Sequence, residues 1–129
     1  MKTGKMLFWA GVVLILSTGL IHLLDAPDSF HDALYKGWLF YANGIGALVA
    51  AYGIYRGRLW GWGLGFFIVA ASFISYCLSR TVGLPQIPAE PEAWFEPLGV
   101  ASLIAEGLFV LVFILKISIG GQEWTKSRL

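Results

Sequence analysis

The stretch LWGWGLGFFIVAASFISYCLS, residues 59–79, contains no charged side chain. Wound as a helix at 1.5 Å per residue it reaches about 30 Å, the thickness of a bilayer's hydrocarbon core. Three more stretches read the same way: 7–24, 37–55 and 98–115, the last interrupted only by Glu106. Lipid offers a backbone no hydrogen-bond partner, so each span must satisfy its own N–H and C=O groups by forming a helix. The lengths and the weak period-two alternation reject a transmembrane β-barrel. The expectation is an all-α, single-domain integral membrane protein, an antiparallel four-helix bundle.

Composition agrees. Of the 129 residues, 57% are hydrophobic, 16% aromatic and only 13% charged. Soluble domains carry about 25% charged residues, and disordered chains are poorer still in apolar ones. A formal net charge of +1 gives no reason to expect a nucleic-acid partner. The single cysteine, Cys77, excludes an intrachain disulfide and a cysteine-built zinc site within one copy, and reads as a small hydrophobe.

Charge segregation sets an orientation. Lys2, Lys5, Arg56, Arg58, Lys116, Lys126 and Arg128 fall at the amino terminus, the second connection and the tail, whereas Lys36 and Arg80 fall in the first and third connections. The positive-inside rule therefore places both termini in the cytoplasm. Asp25, Asp28, Asp32, Glu90, Glu92 and Glu96 make the outer connections acidic, with Glu123 on the inner side. No small-x-small cleavage site follows the first span, so it reads as retained rather than as a secretion signal. Aromatic belts fit this arrangement, with Trp9, Tyr55, Trp60, Trp62 and Trp124 at the inner interface and Tyr35, Trp38, Tyr76 and Trp94 at the outer one.

The connections carry local signals. Arg56-Gly57-Arg58 is short enough to make its flanking spans neighbours. In residues 25–36, Asp25 as a cap, Pro27 in the first turn and Phe30 four before Leu34 predict a short separate helix at the outer interface. Four prolines in residues 83–97 predict extended, polyproline-like chain, with one interfacial turn from Pro91 to Glu96 carrying Trp94 and Phe95. Small residues recur at four-residue spacing: Ala42, Gly46 and Ala50; Gly57, Gly61 and Gly65; and, less regularly, Gly99 and Gly107. Such rows let helices approach closely in lipid, within the bundle or across a homodimer.

Polar groups inside a membrane are costly and so mark candidate sites. Glu106 lies nine residues past Pro97, roughly 13 Å along the fourth span, which puts it near mid-bilayer. An ionised carboxylate there costs about 2.5–3.5 kcal/mol, so it must be protonated, hydrogen-bonded or paired. Ser102 is one turn outward on its face and Asn43 lies at similar depth. His22 is near the outer end of the first span with Thr18 one turn below, and a lone histidine there reads either as a hydrogen-bonded structural residue or as a ligand or proton relay. Arg80 ends the third span beside an acidic region, where it would fix the loops or bind an anion. Together His22, His31, Arg80 and Glu96 could line an outward-facing polar pocket. Bis-histidine haem ligation needs a second histidine on a facing span, and this chain has none. Gly44-Ile-Gly46 and Gly61-Trp-Gly63-Leu-Gly65 lack the context of a nucleotide site, and no nucleophile elbow or HExxH is present.

The segments Ser79-Arg-Thr-Val-Gly-Leu-Pro85 and Glu96-Pro-Leu-Gly-Val-Ala-Ser-Leu-Ile-Ala-Glu106, with Gly19-Leu-Ile-His22-Leu23, resemble those of small uncharacterised four-span membrane proteins of prokaryotes. The resemblance implies this fold, a prokaryotic cytoplasmic membrane location and no assigned reaction, and puts His22, Arg80, Glu96 and Glu106 at motif positions. Small multidrug carriers are similar only in outline, because their membrane glutamate lies in the first span. The leading expectation is a non-enzymatic protein that binds a small ligand, cofactor or partner subunit at the outer half of the bundle through His22, Asn43, Arg80, Glu96 and Glu106. The alternatives are a dimeric proton-coupled solute carrier working through Glu106, and a redox accessory holding haem, quinone or metal through His22.

Overall fold

The structure, a computed structural model, describes residues 2–128, with side chains described for 4–119. The side chains of Lys2, Glu123, Trp124, Lys126 and Arg128, used above for orientation and the inner belt, lie outside the described residues. The described residues form four α-helices, α1 (Lys2–Asp32), α2 (Leu34–Tyr55), α3 (Leu59–Thr81) and α4 (Pro97–Arg128), with a 3-10 turn over Pro91–Phe95 before the last. Each helix is long and apolar enough to cross a membrane, as the composition requires of a multi-pass membrane protein. Many large apolar side chains, including Val13, Leu20, Leu39, Phe67, Ile74, Ile104 and Leu111, face outward, an arrangement suited to hydrocarbon as solvent.

The helices form a ring in which α1 and α3 each pack on both α2 and α4, and the diagonal pairs scarcely touch. One end of this ring is filled. Ile15, Ile54, Trp62, Val69 and Phe109 are almost completely buried there. The Trp62 ring stacks on Phe109 at 5.7 Å and on Phe113 at 6.0 Å between centroids. Trp62 is therefore a core residue and not the interfacial anchor its position in the span predicts. It fits because Gly11 opposite has no side chain, and a Cβ on Gly11 would run into the indole. Trp9, Trp60 and Tyr55 remain exposed, as anchors must be.

The α2–α3 turn shows why its glycine is needed. Gly57 takes φ +72°, its N–H donates to the Ile54 carbonyl at 2.9 Å, and the Arg58 N–H donates to Gly53 at 2.9 Å. This paired closure satisfies two terminal carbonyls and requires a left-handed residue at its centre. Just beyond it the helices nearly touch: a Cβ on Gly61 would lie 2.8 Å from the Gly53 Cα. The rows of small residues thus serve contacts within the chain at Gly61 and at Gly65, which abuts Phe109, and Gly46 meets Ile68, whereas Gly107 has open space beside it.

Two connections depart from the sequence expectations. No separate helix forms over residues 25–36; α1 continues through Pro27 to Asp32, and α2 starts at Leu34 after the single extended residue Ala33. An internal proline costs a helix about 3 kcal/mol. Packing offsets that cost here, since Ala26 and Ser29 are buried and Phe30 lies against Gly37, whose missing side chain makes room for the ring. Phe30 also meets Trp38 and Tyr41 at 5.4 and 5.9 Å. The proline-rich connection is likewise not uniformly extended. Leu84 and Ile87 exchange backbone hydrogen bonds of 2.9 Å across a tight turn in which Gln86 has φ 66°. The turn expected near Trp94 and Phe95 is present as the 3-10 segment.

Candidate functional site

At the end of the ring that carries Ala33 and the 82–96 connection, the helices part around a cavity of about 600 Å³. His22 from α1, Asn43 from α2, Arg80 from α3, Glu96 and Glu106 all line it. Five side chains widely separated in sequence thus meet at one space. His31 does not join them, being exposed outside the lining.

Glu106 is at the inner end of this polar set and only 2% exposed. One carboxylate oxygen, Oε1, accepts from Ser102 Oγ at 2.8 Å and from Thr18 Oγ1 at 3.4 Å. The Ser102 contact follows from i,i+4 spacing on α4, which lays its hydroxyl beside the carboxylate. The other oxygen, Oε2, is buried with no hydrogen-bond partner. A carboxylate left half-satisfied in a dry interior is costly enough to call for an explanation.

His22, 8% exposed, places Nδ1 2.7 Å from the Thr18 carbonyl one turn earlier. A carbonyl only accepts, so Nδ1 carries the proton in this contact. In the neutral ring Nε2 then presents its lone pair, 4.0 Å from Glu106 Oε1. The imidazole also lies edge-on to Phe40 at 5.2 Å, which holds its plane. Across the cavity, the Asn43 amide nitrogen donates to Ser72 Oγ on α3, leaving Asn43 Oδ1 buried and unpartnered. Asn43 therefore ties α2 to α3 and does not reach Glu106.

Arg80 works at the mouth. Its guanidinium lies 3.7 Å from the centre of the Tyr76 ring, donates to the Ala93 carbonyl at 3.3–3.4 Å and to Ser79 Oγ at 2.7 Å, and pairs with Glu96 at 3.5 Å. Tyr76 in turn donates to the Trp94 carbonyl at 2.7 Å. These bonds latch the 3-10 turn onto the top of α3, a role for which the planar, multiply donating guanidinium is suited and a lysine is not. Of the two roles open to Arg80 in the sequence, the geometry displays loop fixation, with Glu96 and not Asp25, Asp28 or Glu92 as its acidic partner.

Sequence reasoning missed Ser72 and Tyr76 as partners. Both sit on α3 one turn apart and facing the cavity, but a serine or tyrosine in an apolar span carries no signal until the facing helix is known. Among the described residues no group of three or more His, Cys, Asp or Glu side chains is arranged to hold a metal ion. Comparison of the chain with protein-family models, with curated proteins and with solved structures finds no match.

Proposed function

We propose that this chain crosses the cell membrane four times as an antiparallel bundle with both termini in the cytoplasm, and that it binds a small ligand in the cavity at the outer half of that bundle. His22, Asn43, Arg80, Glu96 and Glu106 are the polar residues of the binding site. The observation that carries this reading is the convergence of all five on one cavity whose deepest carboxylate keeps a buried oxygen without a partner. The volume falls in the range of about 300–1,000 Å³ usual for pockets that hold small organic molecules. Apolar walls from Ile21, Phe40, Ile68 and Leu98 would take the body of such a ligand, and the polar residues would fix its head.

Binding is favoured over carriage by the packing below. A solute moving on from Glu106 toward the opposite end meets Ile15, Trp62 and Phe109, each at most 1% exposed and all part of one buried cluster. No reaction is assigned to the site.

The test is native mass spectrometry of protein extracted from its own membranes. Ser75 lines the cavity and is itself exposed, so Ser75→Trp fills the space without disturbing the core. The expected result is a small molecule bound one to one by the wild type and lost in the variant. Identical spectra, with no library of small amphiphiles raising the wild type's melting temperature, would contradict the reading.

A further inference from the structure

The cavity's charge and hydrogen-bond inventory narrows the ligand to one chemical class. We infer that the pocket selects a protonated organic amine with an apolar body, its N–H groups donating to Glu106 at the floor; this rests on the binding function proposed above.

Three observations carry it. First, Glu106 lines the cavity, its Oε2 is buried without a partner, and in the ionised form that oxygen only accepts hydrogen bonds. Asn43, which also lines the cavity, holds a second buried, unpartnered acceptor in its Oδ1. What an ionised Glu106 and the Asn43 carbonyl lack is therefore a donor. Second, the fixed charges of the lining are six carboxylates, Asp25, Asp28, Asp32, Glu90, Glu96 and Glu106, against two cations. Both cations are taken, Lys36 by Asp32 and Arg80 by Glu96 and the Ala93 carbonyl. An anionic ligand would find no free positive charge and would meet uncompensated aspartates at the rim, whereas a cation is drawn inward to the one carboxylate that hydrocarbon makes most costly to leave unpaired. Third, no three metal-ligating side chains cluster among the described residues, and the walls are largely apolar, with Phe40 lining the space. A bare metal ion leaves those walls idle. An organic ammonium uses them, through its carbon body and through cation–π attraction to the Phe40 ring.

The ammonium could come from a free amine or from an ethanolamine headgroup of a phospholipid. The rim favours the free amine, since a phosphate beside the ammonium would lie among Asp25, Asp28 and Glu90.

The experiment titrates full-length protein in phosphatidylcholine nanodiscs with benzylammonium, benzyl alcohol and benzoate, three probes of similar shape that differ in charge and donors. Saturable binding is read by calorimetry, with the cavity-filled Ser75→Trp protein as blank. The expected result is benzylammonium binding at least about tenfold tighter than the alcohol, and no benzoate binding. Glu106→Gln should weaken the ammonium by about tenfold or more while leaving the alcohol nearly unchanged. If Glu106→Gln does not fold, Asp25→Asn with Asp28→Asn at the rim serves instead, lowering ammonium affinity about threefold and flattening its salt dependence. Adding phosphatidylethanolamine to the discs separates the sources: competition assigns the ammonium site to the headgroup, and none assigns it to a free amine. Binding of the alcohol or benzoate as tight as that of the ammonium would overturn the amine class and leave the pocket reading intact. No saturable binding by any probe would also overturn the amine class, and the native mass measurement would then decide the pocket reading alone.

Discussion

The two ends of this helical ring solve opposite problems with the same four helices. At the filled end, Gly53 and Gly61 bring α2 and α3 into backbone contact, and Trp62, Phe109 and Ile15 leave no space between the walls. At the other, hydroxyls, an amide, an imidazole and a carboxylate replace the apolar filling, and a cavity remains. In lipid the attraction between helices comes from close packing and from hydrogen bonds that have no competitor. The filled end draws on the first source and the open end on the second. The difference teaches that rigidity sits at one end so that space can be kept at the other.

Substitutions at the two ends should separate accordingly. Phe109→Ala removes the ring that Trp62 and Gly65 both touch, and should cost about 4 kcal/mol of stability in detergent unfolding. Gly61→Ala pushes a methyl against the Gly53 backbone and should cost about 2–3 kcal/mol, because a backbone contact cannot rotate away. Arg80→Gln should release the latch, with a smaller loss of about 1–2 kcal/mol concentrated in the 82–96 connection. Amide exchange there should accelerate while that of α1 stays unchanged, and uniform acceleration would blur the contrast between the ends. Ser102→Ala leaves Glu106 Oε1 only the longer Thr18 contact and should cost about 1 kcal/mol. Ser75→Leu adds bulk beside the cavity and should change the melting temperature least; a loss as large as that of Gly61→Ala would show that the open end is packed after all.

What the sequence disclosed follows from what the solvent forces. In hydrocarbon an uncharged run of this length has one way to satisfy its backbone, so the four helices and the Arg56-Gly57-Arg58 turn were legible. Glu106 and His22 stood out for the same reason, as polar groups where such groups are expensive. Their pairing was partly legible too: Thr18 below His22 and Ser102 above Glu106 are i,i+4 neighbours, and both supply hydrogen bonds. What could not be read was anything set by which helix faces which. Its place near a span end puts Trp62 at the interface by sequence, and it is Gly11 on another helix that makes the core slot holding it. Pro27 suggested a helix start, and the contact of Phe30 with Gly37 across the next connection overrode it. Depth alone groups Asn43 with Glu106, yet its amide nitrogen donates to Ser72.

The central claim is the proposal that the polar cavity at the Ala33 end of the ring opens to the outer face of the membrane. The most direct test is labelling by a membrane-impermeant maleimide in intact spheroplasts, with Cys77→Ser removing the native thiol. Ser75→Cys, in the cavity lining, should label from outside, and Arg58→Cys, in the α2–α3 turn, only after permeabilisation. Labelling of position 58 in intact spheroplasts, or a position 75 that stays unreactive before and after permeabilisation, would contradict the account.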